Sequence, residues 1–219
     1  GGGGLLVAAG VGVLLLDVDG LVEHTIDTGA DPSQIRVNDG IVDADGRFWF
    51  GLMPYDGTPG QGSLWRLDPD LSLHCVVEQI TVPNGPALSP DGTVLYLADS
   101  AAGVIFCHSV DRDTGDLGPG HPFAHVSDAS PDGLAVDSDG GVWCALWGGG
   151  RLHRYSPEGF LERVIALPVQ QPTSVALSPD GGAALVTSAA YGLSEEGPLD
   201  GKSLWVEVGA TGVTAEPFG

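Results

Sequence analysis

The stretch RVNDGIVDADGRFWFG, residues 36–51, contains two polar clusters separated by a short apolar step. The second cluster, Asp43–Gly46, lies between apolar runs, and Asp-Gly in that setting predicts a β-hairpin turn. The first cluster, Asn38–Gly40, is harder to explain, because it is polar where a buried strand should begin. Comparison with the rest of the chain explains this position.

The hairpin is repeated three more times along the chain. The four copies are VDADGRFWFG (42–51), LSPDGTVLYLAD (88–99), VDSDGGVWCALW (136–147) and LSPDGGAALVTS (177–188), with turn aspartates Asp45, Asp91, Asp139 and Asp180. Successive turn aspartates are 46, 48 and 41 residues apart. A repeat of about this length, with several strands in each unit, predicts a β-propeller. No segment keeps a helical periodicity, so an all-β chain is expected.

The seventh residue before each turn aspartate is polar. These four residues are Asn38, Asn84, Asp132 and Thr173. Equivalent positions on the inner strands of successive blades point towards one axial cavity, so a ring of oxygen-bearing side chains is expected, as suits a hard cation. For any single position, an Asx-turn onto its own backbone is the simpler interpretation. The shared register favours a site.

The composition excludes several classes of protein. The chain of 219 residues is 42% hydrophobic and 17% charged, which is typical of a folded globular protein. We expect one β domain over residues 1–219. The formal net charge of −21 argues against nucleic acid or an anionic membrane as a partner, because both require Lys and Arg patches.

Cysteine usage and the apolar N-terminal run bear on the cellular setting. Cys75, Cys107 and Cys144 are an odd number within apolar stretches, so we expect buried thiols rather than disulfides. Residues 5–16 are apolar but shorter than the about 20 residues that span a bilayer. A hairpin broken at residues 10–12, within three strands over residues 5–30, fits them better. A cytoplasmic location is the default expectation.

Three segments resemble the senescence marker protein, gluconolactonase and luciferin-regenerating enzyme family, also called the regucalcin family. RVNDGIVDADGRFWFG (36–51) resembles that family's Arg-x-Asn-Asp-Gly segment. VPNGPALSPDGTVLYLADS (82–100) resembles its Asn-Gly segment, and SPDGLAVDSDGGVWCALWGGGRLHRYSPEG (130–159) resembles its Pro-Asp-Gly segment. The resemblance covers nearly the whole chain.

The resemblance implies a six-bladed β-propeller with one divalent metal ion on its axis. By motif position, Asn84 and Asp132 are the implied metal ligands, and Arg36, Asn38 and Asp56 are the implied substrate contacts. Calcium or zinc is the implied cofactor, with magnesium or manganese as alternatives. Many members hydrolyse sugar lactones, so a gluconolactonase-like hydrolase with a sugar lactone as its partner is implied.

One feature of the family pattern is not found in this sequence. The family's third metal ligand is a glutamate in an N-terminal Glu-Gly-Pro-x-Trp segment, and residues 5–30 resemble the later strands of a blade instead. The resemblance therefore implies about five of the six blades here, an N-terminally incomplete domain, and weak metal binding and low activity for these residues alone.

Lactone opening gives each implied residue a role. Asp132 would bind the metal and act as general base towards water, while Arg36 and Asn38 would orient the sugar. Asp99, at the end of LYLAD, could support the metal ligands by hydrogen bonding or simply cap its strand. Thr173 is expected to make a local bond to backbone.

Two further interpretations remain beside the lactonase. His121 and His125 have a spacing seen in zinc sites, but we expect an exposed loop there. A non-catalytic propeller that binds calcium or another protein is the alternative function, since a fold does not determine a function.

Overall fold

The computed structural model describes residues 3–214 and 217–219. The domain expected over residues 1–219 includes four further residues. Within the described residues the secondary structure consists of eighteen β-strands and turns, without a helix. The strands form five antiparallel sheets. The chain therefore has the all-β propeller fold that the hairpin repeats predict, and the number of blades stays a prediction. None of the described residues belongs to a helix long and apolar enough to cross a membrane.

The strands are divided between two compact units, residues 1–83 with 215–219 and residues 84–214. The first unit contains a sheet of order β1 (Leu5–Ala9), β2 (Gly12–Leu16), β3 (Val22–Asp27) and a sheet of order β4 (Ile35–Val42), β5 (Phe48–Pro54), β6 (Gly62–Leu67), β7 (Leu73–Ile80). The three strands expected over residues 5–30 are confirmed. Val13 packs with Phe48, Phe50 and Leu52, so the two sheets share a core.

The second unit contains three sheets. Their orders are β11 (His121–His125), β10 (Val104–Ser109), β9 (Val94–Asp99), β8 (Pro83–Leu88); β12 (Ser130–Val136), β13 (Val142–Trp147), β14 (Arg151–Tyr155), β15 (Leu161–Ala166); and β16 (Gln171–Leu177), β17 (Ala183–Ala189), β18 (Leu204–Glu207). Strands β9 and β13 are apolar on both faces because they lie inside their sheets and pack against neighbouring ones. Each sheet thus places its first strand, β8, β12 or β16, at one edge of the sheet.

An aspartate two residues before the turn aspartate locks the hairpin in two of the repeats. Asp137 is 1% exposed and accepts hydrogen bonds from Trp143 Nε1 at 2.8 Å and from Arg154 Nε at 2.7 Å. The backbone N–H of Gly141 donates to the same carboxylate at 2.8 Å. In the first unit, Asp43 accepts from Trp49 Nε1 at 2.8 Å in the same way. The tryptophan of the second strand is therefore anchored to the turn that precedes it.

The structure differs from two expectations. Residues 121–125 form strand β11, which pairs with β10, rather than an exposed loop. Pro122 is tolerated there because β11 is an edge strand. One side of an edge strand has no neighbouring strand, so a missing backbone N–H on that side removes no hydrogen bond from the sheet. Cys75 is exposed on the outer strand β7, while only Cys144 of the three cysteines is fully buried.

Candidate active site

The polar residues at the shared register lie within the first strands, not ahead of them. Asn38 lies in the middle of β4, Asp132 in β12 and Thr173 in β16. In each case the pairing with the second strand shifts register around the polar residue. A bulge takes a residue out of the ladder and redirects its side chain, and bulges are over-represented next to active sites. The polar Asn38–Gly40 cluster is thus a bulge in a strand.

Within the second unit, a glycine brings the backbone next to Asn84 against the backbone of Asp132 and Leu134. Gly85 has a φ of +49° and follows Asn84 directly. A Cβ atom at Gly85 would lie 2.3 Å from the Leu134 nitrogen and 2.9 Å from the Asp132 carbonyl oxygen. The backbone of β8 therefore touches the bulge of β12, which only a glycine permits. The two residues implied as metal ligands lie on adjoining backbone segments.

A serine hydroxyl connects the same two segments. Asn84 is 7% exposed, and its Nδ2 donates to Ser100 Oγ at 2.8 Å. Ser100 Oγ in turn donates to the carbonyl oxygen of Pro131 at 2.5 Å. Pro131 immediately precedes Asp132. The orientation of the Asn84 amide is therefore coupled to the backbone that carries Asp132.

Asp132 itself is half-buried, and a neighbouring sheet supports its bulge. A Cβ atom at Gly133 would lie 2.5 Å from Ser174 Oγ and 2.7 Å from Ser174 Cα, so β12 and β16 are in close contact here. Behind the bulge lies Cys144, whose thiol pKa is raised chiefly by burial, with a smaller contribution from the Asp132 charge, while a hydrogen bond to the Asp132 backbone opposes the rise. The Cys144 thiol is therefore neutral at neutral pH.

Thr173, the fourth member of the expected ring, bonds within its own sheet. Its Oγ1 lies 2.7 Å from Thr187 Oγ1 on β17. The expected local bond to backbone is replaced by a bond to a hydroxyl on the neighbouring strand, because the bulge turns the Thr173 side chain towards β17. Thr173 is accordingly engaged with its own sheet, and the ring that would also include Asn38 stays a prediction.

In the first unit, Arg36 and Asn38 form a hydrogen-bonded pair. Arg36 Nη1 donates to Asn38 Oδ1 and to the Val37 carbonyl oxygen, both at 2.9 Å. Asn38 Nδ2 donates to the Pro83 carbonyl oxygen at 3.0 Å. Both side chains are half-buried. This pair presents guanidinium donors held in a fixed position, which suits hydroxyl or carboxylate recognition.

The two remaining candidates have different surroundings. Asp56 is exposed between β5 and β6, where hydrogen bonds from the Thr58 hydroxyl at 2.7 Å and the Thr58 N–H at 2.9 Å lower its pKa. Asp99 is 7% exposed at the end of β9, one residue before Ser100. The substrate role of Asp56 and the supporting role of Asp99 stay predictions.

The donor chemistry around Asn84 and Asp132 fits a hard divalent cation. An amide oxygen and a carboxylate are ligands that calcium and magnesium prefer, and the amide Nδ2 points to Ser100, which leaves Oδ1 as the amide's ligand atom. Among the described residues, no group of three or more His, Cys, Asp and Glu side chains is placed to hold a metal ion, at this site or at any other. Asn84 and Asp132 would thus hold the cation together with water, carbonyl or other ligands.

Fold and site together define a class: an all-β propeller with polar side chains on bulges of its first strands. Residues 1–190 match the family described as the SMP-30/gluconolactonase/LRE-like region. The chain belongs to this family, as the three sequence segments indicate.

Relatives and solved structures are similar along most of the chain. An L-arabinolactonase of Azospirillum brasilense is 38% identical over 170 residues, which are 75% of this chain and 56% of that protein. A 6-deoxy-6-sulfogluconolactonase of Pseudomonas putida is 36% identical over 227 residues, covering 99% of this chain and 77% of that one. The crystal structure of a calcium-binding protein, regucalcin, from Agrobacterium tumefaciens superposes with a TM-score of 0.91 at 28% identity, over 98% of this chain and 75% of that one. The chain thus spans only part of the length of these proteins.

Ser100 is absent from the residues that the sequence singles out. Its signal is weak, since a serine after a strand is commonly a turn residue. The indication in the sequence is its place beside Asp99, as the last residue of the Asn-Gly segment 82–100 that resembles the family.

Proposed function

We propose that this protein is a lactonase that opens a sugar lactone by metal-dependent hydrolysis. The observation that carries the proposal is a backbone contact: Gly85, next to Asn84, packs against the backbone of Asp132 and Leu134, and Ser100 joins Asn84 to the Pro131 carbonyl. Relatives with 38% and 36% identity that are named as sugar lactonases support the substrate class.

A cyclic ester opens when water attacks its carbonyl carbon and the ring oxygen leaves as an alcohol. When bound, a divalent cation would polarise the carbonyl and lower the pKa of nearby water. Calcium or zinc is the proposed ion, with magnesium or manganese as alternatives. The Asp132 carboxylate accepts the proton of the attacking water and, after attack, returns it to the departing alkoxide.

Other side chains of the chain would hold the substrate. Arg36 and Asn38 are proposed to bind the sugar hydroxyls and fix the ester for attack. Their mutual hydrogen bond supports this role, because it reduces the freedom of the guanidinium before substrate arrives. Asp56 is proposed as a further substrate contact from its exposed turn, and Asp99 as a buried support of the metal ligands.

The proposal is tested by Asp132→Asn, which keeps the size of the side chain but removes its charge and basicity. Hydrolysis of a panel of aldonolactones, followed by acid release, should fall by at least about 10²–10⁴-fold, as expected when a general base is lost. Asp180→Asn, at an exposed turn aspartate of another repeat, is the matched control and should leave turnover unchanged. Turnover above a tenth of wild type in Asp132→Asn would refute the role of Asp132.

A second candidate function is a calcium-binding propeller without catalysis. The similarity to the regucalcin crystal structure, described as a calcium-binding protein, favours it. Calcium binding without hydrolysis of any lactone in the panel would select this alternative.

We also propose a cytoplasmic setting. The three cysteines are free thiols in the structure, and one of them is exposed. Free thiols persist where the surroundings are reducing.

A further inference from the structure

We infer that Ser100 is a positioning residue that sets the orientation of the Asn84 amide for metal binding. This inference rests on the proposed function, since it concerns the metal site of that function. Three atoms carry it: Asn84 Nδ2, Ser100 Oγ and the Pro131 carbonyl oxygen, joined at 2.8 Å and 2.5 Å.

The direction of each hydrogen bond follows from the groups involved. The Pro131 carbonyl can only accept, so the single hydroxyl proton of Ser100 points to it. The Ser100 oxygen is then left as an acceptor towards Asn84. Only the NH₂ end of the amide can satisfy it, so Nδ2 faces Ser100 and Oδ1 faces the other way.

The opposite amide orientation conflicts with this arrangement. With Oδ1 towards Ser100, the serine would face two acceptors and could donate to only one of them. One contact would be lost at a position where Asn84 is 7% exposed and water has little access. Ser100 therefore selects the orientation in which Asn84 offers an oxygen to a cation.

The same hydroxyl also links the two ligand segments. Pro131 precedes Asp132 directly, and Gly85, after Asn84, touches the Asp132 carbonyl region. Groups that orient metal ligands typically account for about 10–100-fold in metal affinity. Ser100 is expected to act within that range, without touching the metal or the substrate.

The test compares Ser100→Ala, which removes the hydroxyl, with Ser100→Thr, which keeps it. Ser138→Ala, at an exposed turn serine, is the matched control. EDTA-treated protein is titrated calorimetrically with CaCl₂ and, separately, with ZnCl₂. Thermal unfolding in EDTA then shows whether each variant is folded and how stable it is without metal.

Ser100→Ala should bind the ion that wild type binds about 10–100-fold more weakly, and Ser100→Thr should bind close to wild type. Unchanged affinity in Ser100→Ala, or an equal loss in both variants, would overturn the inference. A lower melting temperature in EDTA with unchanged affinity would assign Ser100 a purely structural role and overturn it too. If wild type binds neither ion, the metal site of the proposed function fails and this inference fails with it. If Asp132→Asn loses affinity but Ser100→Ala does not, only this inference fails.

Discussion

At the scale of single residues, the carboxylates of this acidic chain have sharply different surroundings. Asp132 is half-buried on a bulge beside Asn84, whereas Asp137, five residues later, is fully enclosed by Trp143, Arg154 and the Gly141 N–H. We propose the first for chemistry, whereas the hydrogen bonds of the second suit it to stabilising the fold. The sequence alone does not distinguish these two aspartates, because the surroundings of each depend on contacts with other strands.

Asp137 makes stability depend on pH. Burial alone would raise its pKa, but hydrogen bonds from Arg154, Trp143 and Gly141 outweigh it, and the pKa lies below its usual value. The carboxylate therefore contributes stability that is present above the unfolded-state pKa of about 3.9 and is lost as pH falls through the lower folded-state value.

Asp137→Asn should lower the free energy of unfolding at pH 7 by about 1.5–3 kcal/mol, because it removes the buried charge to which Trp143 and Arg154 donate, while Arg154 keeps its second partner Glu162. Urea unfolding between pH 7 and pH 2.5 measures this, and the difference between variant and wild type should shrink at the acid end. Asp180→Asn, at an exposed turn, should change stability by less than about 0.5 kcal/mol. A difference that stays constant over this pH range would contradict the assignment.

Substitution of Arg36 should affect substrate binding but not metal binding. Arg36→Ala should raise KM for the lactone by about 10–100-fold, the loss expected for a charged hydrogen bond of about 1.5–3 kcal/mol. Metal affinity, measured by calorimetric titration, should be unchanged. Arg36→Lys retains the charge but not the forked geometry of the guanidinium, so its KM should lie between those of wild type and Arg36→Ala. A large loss of metal affinity in Arg36→Ala would show that its role is structural.

At the scale of elements, the hairpins were predictable and the bulges were not. Asp-Gly turns between apolar runs mark the strand pairs β4–β5, β8–β9, β12–β13 and β16–β17 on short-range signals alone. A polar residue seven positions before each turn aspartate marks equivalent positions in the four repeats. Whether that residue lies in a bulge depends on contacts between its strand and the next sheet. The Gly85 and Gly133 contacts and the Ser100 bridge are of that kind, and no local pattern encodes them.

A substitution at Gly133 tests whether the β12 bulge positions Asp132. In Gly133→Ala, the new Cβ would lie 2.7 Å from Ser174 Cα, a backbone atom that cannot move without shifting β16. Overpacking of this kind costs about 1–3 kcal/mol, so the urea midpoint should fall with an unchanged slope. Hydrolysis should fall further than stability explains, because the Asp132 backbone moves. Ser138→Ala, outside the bulge, is the control. Full activity in a folded Gly133→Ala protein would contradict the importance of this contact.

At the scale of the whole molecule, the repeat of 46, 48 and 41 residues was sufficient to predict the propeller. It was sufficient because each repeat is one sheet, and a sheet with two buried faces must pack between others. The family membership was predictable from three motifs, and the match over residues 1–190 confirms it. The identity of the ion was not predictable, since amide and carboxylate oxygens suit several divalent cations.

We propose that a divalent cation held with Asn84 and Asp132 is required for lactone hydrolysis. The most direct measurement follows hydrolysis and metal binding in one sample, as EDTA-treated protein is titrated with CaCl₂ or with ZnCl₂. We predict that activity returns in proportion to bound ion and saturates at one ion per chain, and that Asp132→Asn shows neither saturable binding nor recovery. Full activity in EDTA-treated protein, or tight binding with wild-type turnover in Asp132→Asn, would contradict the account.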